Sequence, residues 1–288
     1  MSNTINCTSC KSDLKPMAVA CPDCDTPLLD SSGAPLKQSD SDYSRYGVHR
    51  TIQDDVKKRV REECGFGCVI CGNMPTHYEH FDPPFKDLKH NHKADGMALL
   101  CTSCHERTKG NPPEIDKATV KFYRTNPDAK KKNSAKHPMF FLPRWPLTFK
   151  FGDVEFSGKR VNLYVTGQPV LSIYKLPNGT VGVDAICQNK QGSTVVKIKE
   201  SVLEVRPSGV SDVVKVGTKF TISNGKRKIL DLDKSNPHIM KVVGYETYFM
   251  GNHIQISAKG IFVNGEFQIL AGGSLQVNAT DDINIQLG

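Results

Sequence analysis

Eight of the ten cysteines in this chain stand in Cys-x-x-Cys pairs, the spacing at which two thiolates can hold one metal ion. Because four thiolates form a closed tetrahedral shell around zinc, the four pairs predict two structural zinc sites. A closed shell leaves no open position for a substrate, so we expect both sites to support the fold. The ligands are Cys7, Cys10, Cys21 and Cys24 in the first site and Cys68, Cys71, Cys101 and Cys104 in the second site.

Residues that can carry out chemistry lie between and beside the cysteines of the second site. Glu79 and His80 are neighbours, and adjacent side chains of a β-strand point to opposite faces. Glu79 can therefore bind a hard cation while His80 takes a proton from an attacking water. His105 directly follows the last cysteine and would complete the cation site from the start of a helix. His77 shares the strand face of Glu79 and is a further candidate ligand.

The order of these residues resembles that of the HNH endonuclease family in its zinc-bound ββα-metal form. The resemblance covers residues 52–125. It consists of a first Cys-x-x-Cys pair, Glu79-His80-x-x-Pro83, and a final Cys-x-x-Cys-His that ends at His105. It implies that His80 is the general base and that Glu79 and His105 bind a catalytic cation, Mg²⁺ or Mn²⁺. It also implies DNA as the partner, with the cation stabilising the phosphate and the leaving 3′ oxygen.

Two positions depart from the family pattern. The family's central asparagine, which usually braces the hairpin, falls where this chain has Gly96, and we expect Asn91 or Asp95 to take over that role. Arg107-Thr108-Lys109 stands where the family often has Arg-Lys-Thr, and both orders keep cations near a phosphate. Neither departure removes the expected base or the two cation ligands.

The consecutive residues His90-Asn91-His92 spell the name of the family but do not match its motif, whose residues are spread along the chain. They lie in a charged stretch that runs from Lys86 to Lys93. We therefore expect His90 and His92 to face solvent or DNA.

We expect the chain to divide into four segments, which together position the cysteines and the candidate site residues. Residues 1–30 are too few to bury a core, and we expect them to fold around zinc as a zinc ribbon. Residues 31–46 are polar and read as a flexible linker. Residues 47–146 would form the HNH nuclease domain with flanking helices, and residues 147–288 an all-β domain. The predicted fold class is therefore α+β and multidomain.

Two helices are expected to flank the candidate site. Apolar residues recur every four positions from Ile52 to Cys64, which predicts a short amphipathic helix with Thr51 as its N-cap. A second helix is predicted from Glu114 to Arg124, between proline-containing segments.

The all-β prediction for the second half of the chain follows from short alternating apolar runs that are separated by turn signals. Asn178-Gly179, Asn224-Gly225 and Asn264-Gly265 are typical hairpin turns. The tail, residues 251–288, is weakly repetitive, which fits either a small solenoid or a simple meander. Because the ends of a solenoid need cover, this tail is a candidate for homo-oligomerisation.

Composition and charge limit the classes of function. The formal net charge is +8, and residues 41–146 hold 19 basic against 13 acidic side chains, which favours a phosphate-rich partner. No apolar run is long enough to cross a membrane, and the first 30 residues lack the apolar segment of a signal peptide. Paired thiolates persist best in a reducing compartment. We therefore expect a cytoplasmic protein without a membrane partner.

These observations predict a metal-dependent HNH endonuclease that hydrolyses DNA phosphodiester bonds. A role in restriction or phage defence would follow from the family resemblance alone. Two other functions remain open. One is a zinc-dependent adaptor that binds nucleic acid without cutting it, and the other is a scaffold that assembles through the β domain.

Overall fold

The computed structural model describes residues 5–74, 76–110, 112–139, 141, 143, 147–270, 277–278 and 282–287. Strands predominate over helices in these residues, which confirms the α+β class. No helix among them combines the length and the apolar character that a bilayer crossing requires. The chain divides into two compact units, the first formed by Met1–Cys64 and Thr76–Asn126 and the second by Gly65–Pro75 and Pro127–Gly288.

The first unit is built around a β-hairpin that is followed directly by a helix. Strand β3 pairs with β4 in antiparallel fashion, with Glu79 opposite Ala98 and His80 opposite Met97. Every position of β4 is buried, and helix α2 begins at the residue after it. Its elements are β1 (Ile5–Asn6), β2 (Asp13–Leu14), α1 (Asp54–Glu63), β3 (Thr76–His80), β4 (Met97–Cys101), α2 (Thr102–Glu106) and α3 (Lys117–Thr125), with short 3₁₀ turns at Phe85–Asp87 and Ala94–Gly96.

Both predicted flanking helices are present, although their starts differ from the prediction. Helix α1 begins after Gln53, whose side chain makes no capping hydrogen bond, so the predicted N-cap at Thr51 is wrong. Asp54 and Asp55 in its first turn are favourably placed at the positive end of the helix dipole. Helix α3 begins at Lys117 because the carboxylate of Asp116 caps it, accepting the amide of Thr119 at 2.7 Å.

The segment that the sequence suggests as a linker carries hydrogen bonds of its own within the first unit. Ser44 and Tyr46 are buried. The hydroxyl of Ser44 donates to the carbonyl of Leu88 at 2.8 Å, and that of Tyr46 donates to Asp25 of the first cysteine-rich segment at 2.5 Å. These contacts tie residues 43–48 to the segment before them and to the loop after β3.

Gly96 stands where any larger residue would collide with the loop that follows β3. Its carbonyl oxygen accepts the amides of Phe81 and Asp82 at 3.0 and 3.3 Å. A Cβ at position 96 would lie 2.0 Å from the carbonyl oxygen of Asp82. The asparagine of the family pattern therefore cannot occupy this position without moving the loop.

The expected replacement for that asparagine is not found among the side chains of the same loop. Asp95 pairs with Arg59 of helix α1 at 2.8 Å and is largely exposed, and Asn91 is also exposed. The carbonyl group of Gly96 joins the two sides of the hairpin instead.

Alanine at position 96 should lower the free energy of unfolding by about 1–3 kcal/mol, the usual effect of overpacking, because the new Cβ displaces the backbone of Asp82. Thermal melting of Gly96→Ala measures this loss. Gly244→Ala is the control, since its Cβ would meet its nearest neighbour at an ordinary 3.5 Å. Equal melting of Gly96→Ala and wild type would show that the loop accommodates a side chain.

The second unit is built from two large sheets whose apolar side chains form one buried cluster. Its elements are α4 (Asp128–Lys131), β5 (Ala135–Pro138), β6 (Thr148–Phe151), β7 (Val154–Ser157), β8 (Arg160–Val165), β9 (Gln168–Lys175), β10 (Val181–Gln188), β11 (Thr194–Lys199), β12 (Val202–Val205), β13 (Asp212–Val216), β14 (Lys219–Asn224), β15 (Arg227–Asp233), β16 (Ile239–Phe249), β17 (Asn252–Ser257), β18 (Gly260–Val263), β19 (Glu266–Leu270), β20 (Val277–Asn278) and β21 (Asp282–Leu287), with a 3₁₀ turn at Pro207–Gly209.

The strands of both sheets follow one another mainly as antiparallel neighbours. The first sheet has the order β21-β8-β9-β10-β11-β12-β5, and the second runs from β13 to β19 in sequence, with β6, β7 and β20 joined to it beside β16. From β17 to β19 the tail is thus a meander rather than a solenoid. Residues 271–276, 279–281 and 288 of the predicted oligomerising tail lie outside the described residues, and oligomerisation itself stays a prediction.

Candidate functional site

Three of the four Cys-x-x-Cys pairs form the same backbone turn. The amide of the first cysteine donates to the carbonyl five residues later, and its own carbonyl accepts the amide four residues later. These distances are 2.8 and 3.0 Å at Cys7, 3.0 and 3.0 Å at Cys21, and 3.0 and 2.8 Å at Cys68. The residue after the second cysteine has a left-handed backbone in each turn, with φ of 67° at Lys11, 61° at Asp25 and 74° at Gly72.

The fourth pair uses a helix start instead of this turn. Cys101 is the N-cap of helix α2, and its sulfur accepts the amide of Cys104 at 3.5 Å. An amide that donates to sulfur favours the thiolate form, the form that binds metal. The end of the hairpin and the start of the helix thus bring the second pair of ligands into position together.

The cysteines gather into the two groups that the sequence predicts. Within each group the four sulfur atoms lie within 4.8 Å of one another. In the first group, the sulfur atoms of Cys7 and Cys24 are 3.6 Å apart and those of Cys10 and Cys21 are 3.5 Å apart. Four sulfurs bound to a tetrahedral zinc ion by bonds of about 2.3 Å would be about 3.8 Å apart. None of the ten cysteines is in a disulfide. Both groups can therefore hold metal ions such as zinc.

Two hydroxyl groups favour metal binding by the first group, because they stabilise the thiolate form of two of its cysteines. Ser12 Oγ lies 3.2 Å from the sulfur of Cys10, and Thr26 Oγ1 lies 3.1 Å from the sulfur of Cys24. These hydrogen bonds, together with backbone amides of the same residues, lower the pKa of both thiols.

Glu79 and His105 meet where strand β3 contacts helix α2. Glu79 Oε2 lies 3.2 Å from His105 Nε2, and the side chain of Glu79 is only 12% exposed. Neighbouring ligands of an octahedral ion with bonds of about 2.1 Å are about 3 Å apart. The two atoms are thus as far apart as neighbouring ligands of one cation, and also as far apart as the partners of an ion pair. Burial lowers the pKa of His105, with nearby His77 and Lys109 acting in the same direction, which favours the neutral imidazole that can bind metal.

His77 lies beside these two residues, in contact with His105 and Thr102. Its ring stacks on that of His105, with centroids 5.0 Å apart and an interplanar angle of 22°. Its Nε2 lies 3.2 Å from Thr102 Oγ1. The structure thus brings the further candidate ligand to the edge of the pair formed by Glu79 and His105.

Lys117 is a site residue that the sequence reasoning missed. Its ammonium group contacts the second carboxylate oxygen of Glu79 and donates to the carbonyl of His80 at 3.0 Å. Burial lowers its pKa. No signal in the sequence indicated this role, because the predicted helix began at Glu114. In the structure Lys117 is the first residue of helix α3, where a cation opposes the helix dipole and is stabilised by an anionic partner.

His80 lies in separate surroundings from Glu79, as strand alternation predicts. Its Nε2 is 2.9 Å from His92 Nδ1, and the Nε2 of His92 is 2.9 Å from the carbonyl oxygen of His49. The ring of Phe85 packs near both imidazoles. Burial, together with His92 and Arg50, lowers the pKa of His80 to about 4. Burial also lowers the pKa of His92.

The position of His92 contradicts the expectation that it faces solvent or DNA. Only 4% of its surface is exposed, whereas His90 is exposed as expected. The sequence contains no signal for this difference, because both residues lie in a charged loop without periodicity.

A cleft of about 260 Å³ opens beside His80 and is lined in part by Lys89 and Lys93. Asp82, also in its wall, pairs with Lys121 at 2.8 Å. On the other side of the hairpin, Arg107 pairs with Glu114 at 2.5 Å and Lys109 with Glu106 at 2.7 Å.

The chain matches no family model, no curated protein and no solved structure.

Proposed function

We propose that this chain is a metal-dependent endonuclease of the HNH type that hydrolyses DNA phosphodiester bonds. The observation that carries the proposal is the meeting of Glu79 and His105, whose Oε2 and Nε2 atoms lie 3.2 Å apart. One carboxylate and one imidazole at this separation suit a divalent cation of the size of Mg²⁺ or Mn²⁺. Such a cation, when bound, acts as a Lewis acid toward a phosphate group and its leaving oxygen.

The division of labour between neighbouring residues supports this proposal. His80 is adjacent to Glu79 but has its own partners, His92 and Phe85, so a proton acceptor and a cation ligand act side by side without competing. His80 accepts the proton of the attacking water. Glu79 and His105 hold the cation, while Lys117 orients the carboxylate of Glu79 through its second oxygen.

The basic excess of residues 41–146 supports a phosphate-rich substrate. These residues carry 19 basic against 13 acidic side chains, whereas the cleft beside His80 is lined by Lys89 and Lys93 and also by Asp82 and Asp87. Cations of this kind attract the nucleic-acid backbone irrespective of sequence. DNA is therefore the substrate that we propose.

Glutamine in place of Glu79 should reduce cutting of supercoiled plasmid at least about 100-fold in Mg²⁺ or Mn²⁺, because the amide keeps the shape but loses the charge that binds the cation. The rate of nicking, followed on agarose gels, measures this effect. Glu114→Gln is the matched control, since that carboxylate is 64% exposed and pairs with Arg107.

The two variants also separate the proposed function from its alternatives. Cutting by wild type and Glu114→Gln but not by Glu79→Gln supports the nuclease. Failure of the wild-type protein to cut, combined with tight plasmid binding in a mobility-shift assay, would favour the non-cutting adaptor. Equal cutting by all three proteins would exclude Glu79 as a cation ligand.

A further inference from the structure

The hydrogen-bond chain behind His80 determines which of its nitrogens carries a proton. The carbonyl oxygen of His49 can only accept, so the Nε2 of His92, at 2.9 Å, must be the donor. A neutral imidazole has one N–H group, and Nδ1 of His92 is therefore an acceptor. His80 Nε2, at 2.9 Å from this Nδ1, must then donate. The lone pair of His80 is left on Nδ1.

Packing and hydrogen bonds hold the side chains of His80 and His92 in one arrangement. His92 is 4% exposed, and its ring is stacked parallel to that of Phe85, with an interplanar angle of 8° and centroids 6.3 Å apart. The ring of His80 lies 5.6 Å from the same phenyl ring. A flip of the His92 ring would break its hydrogen bond to the His49 carbonyl, and a flip of the His80 ring would break its hydrogen bond to His92. The tautomer and the direction of His80 are therefore set together.

We propose that His92 is a positioning residue that holds His80 in its Nε2-protonated tautomer, so that Nδ1 is the atom that receives the proton of the attacking water. This inference rests on the proposed function and deepens it. In the reaction the water O–H bond breaks, its proton goes to His80 Nδ1, and its oxygen attacks phosphorus. The P–O3′ bond then breaks, and the 3′ oxygen takes up a proton from solvent. His92 keeps its own proton throughout and remains an acceptor for the His80 imidazolium.

The test compares two substitutions that differ in the acceptor they offer. His92→Leu removes the acceptor but keeps an apolar side chain in the buried position. In His92→Asn the amide oxygen lies near the position that Nδ1 of His92 occupies in wild type, and it can accept the hydrogen bond from His80 Nε2. For plasmid nicking in Mn²⁺ we expect His92→Leu to lower kcat about 10–100-fold with little change in KM, as misplacement of a reacting group does. The kcat of His92→Asn should stay within about threefold of the wild-type value, because His80 keeps its hydrogen-bond acceptor and its position.

Nitrogen NMR of imidazole-labelled wild-type protein gives a second readout that does not depend on activity. We expect the Nδ1 of His80 to resonate as an unprotonated nitrogen and its Nε2 as a protonated one. The spectrum of His92→Leu should show exchange between tautomers at His80. This measurement on wild type stands even where a His92 variant fails to fold.

The outcomes keep the two proposals apart. A protonated Nδ1 on His80 in wild type overturns the role of His92, whatever the protein does to DNA. A kcat for folded His92→Leu within threefold of wild type also overturns it. Absence of cutting by wild type overturns the proposed function, and the nitrogen spectrum then still decides whether His92 sets the tautomer of His80.

Discussion

Alanine in place of His80 should slow plasmid cleavage about 1,000-fold, within the range that a positioned general base contributes. The substitution removes the imidazole that is hydrogen-bonded through Nε2 to the buried His92, and with it the Nδ1 atom that we propose as the proton acceptor. Glu79 and His105 stay in place, because they lie on the other side of the strand and have separate contacts. The loss should therefore fall on kcat, with the affinities for Mn²⁺ and DNA preserved.

Single-turnover nicking at saturating Mn²⁺ measures this loss, and isothermal titration with Mn²⁺ checks the cation site. His238→Ala, which removes an exposed imidazole in the second unit, is the matched control and should cut at the wild-type rate. Added free imidazole should restore part of the activity of His80→Ala, since it can enter the space left by the side chain. Unchanged cutting by His80→Ala would exclude His80 as the base.

Serine in place of Cys7 should release one of two zinc ions and unfold the segment around it. The buried apolar cluster of this segment is small and consists of Cys7, Leu14 and Cys21 with Leu28 packed beside them. Zinc supplies about 10–16 kcal/mol in small domains of this kind, which is more than the stability of most folded domains. Limited proteolysis should then cut the first 30 residues while the second unit resists.

Metal content measured by mass spectrometry gives the direct readout. We expect two zinc ions per wild-type chain and one in Cys7→Ser. Cys187→Ala is the matched control, because Cys187 is buried in the core of the second unit and belongs to neither cysteine group. EDTA should stop cutting at concentrations that leave both zinc ions bound. A purified chain that contains disulfides and no zinc would contradict the assignment.

The cysteine groups and the hairpin could be predicted because their signals are local. A Cys-x-x-Cys pair closes its own turn, and three of the pairs do so with the same two hydrogen bonds. Alternation within β3 separates Glu79 from His80 over a single residue step. The apolar repeat likewise predicted a start for helix α1 that lies within two residues of the observed start, although the N-cap predicted at Thr51 was wrong.

The contacts that refine the site could not be predicted, because they join residues far apart in the sequence without any repeating pattern. His92 reaches His80 across 12 residues and the His49 carbonyl across 43, and Lys117 reaches Glu79 across 38. Nothing in the loop distinguishes the buried His92 from the exposed His90.

The sequence by itself determined the residue types that can bind zinc, hold a cation and take up a proton, because these properties belong to short motifs and to the covalent order of the chain. The tertiary structure alone decided that Gly96 closes the hairpin through its backbone and that His92 lies behind His80. Both results follow from the packing of a loop, where steric exclusion and the pairing of buried polar groups select one arrangement from many that the local sequence allows.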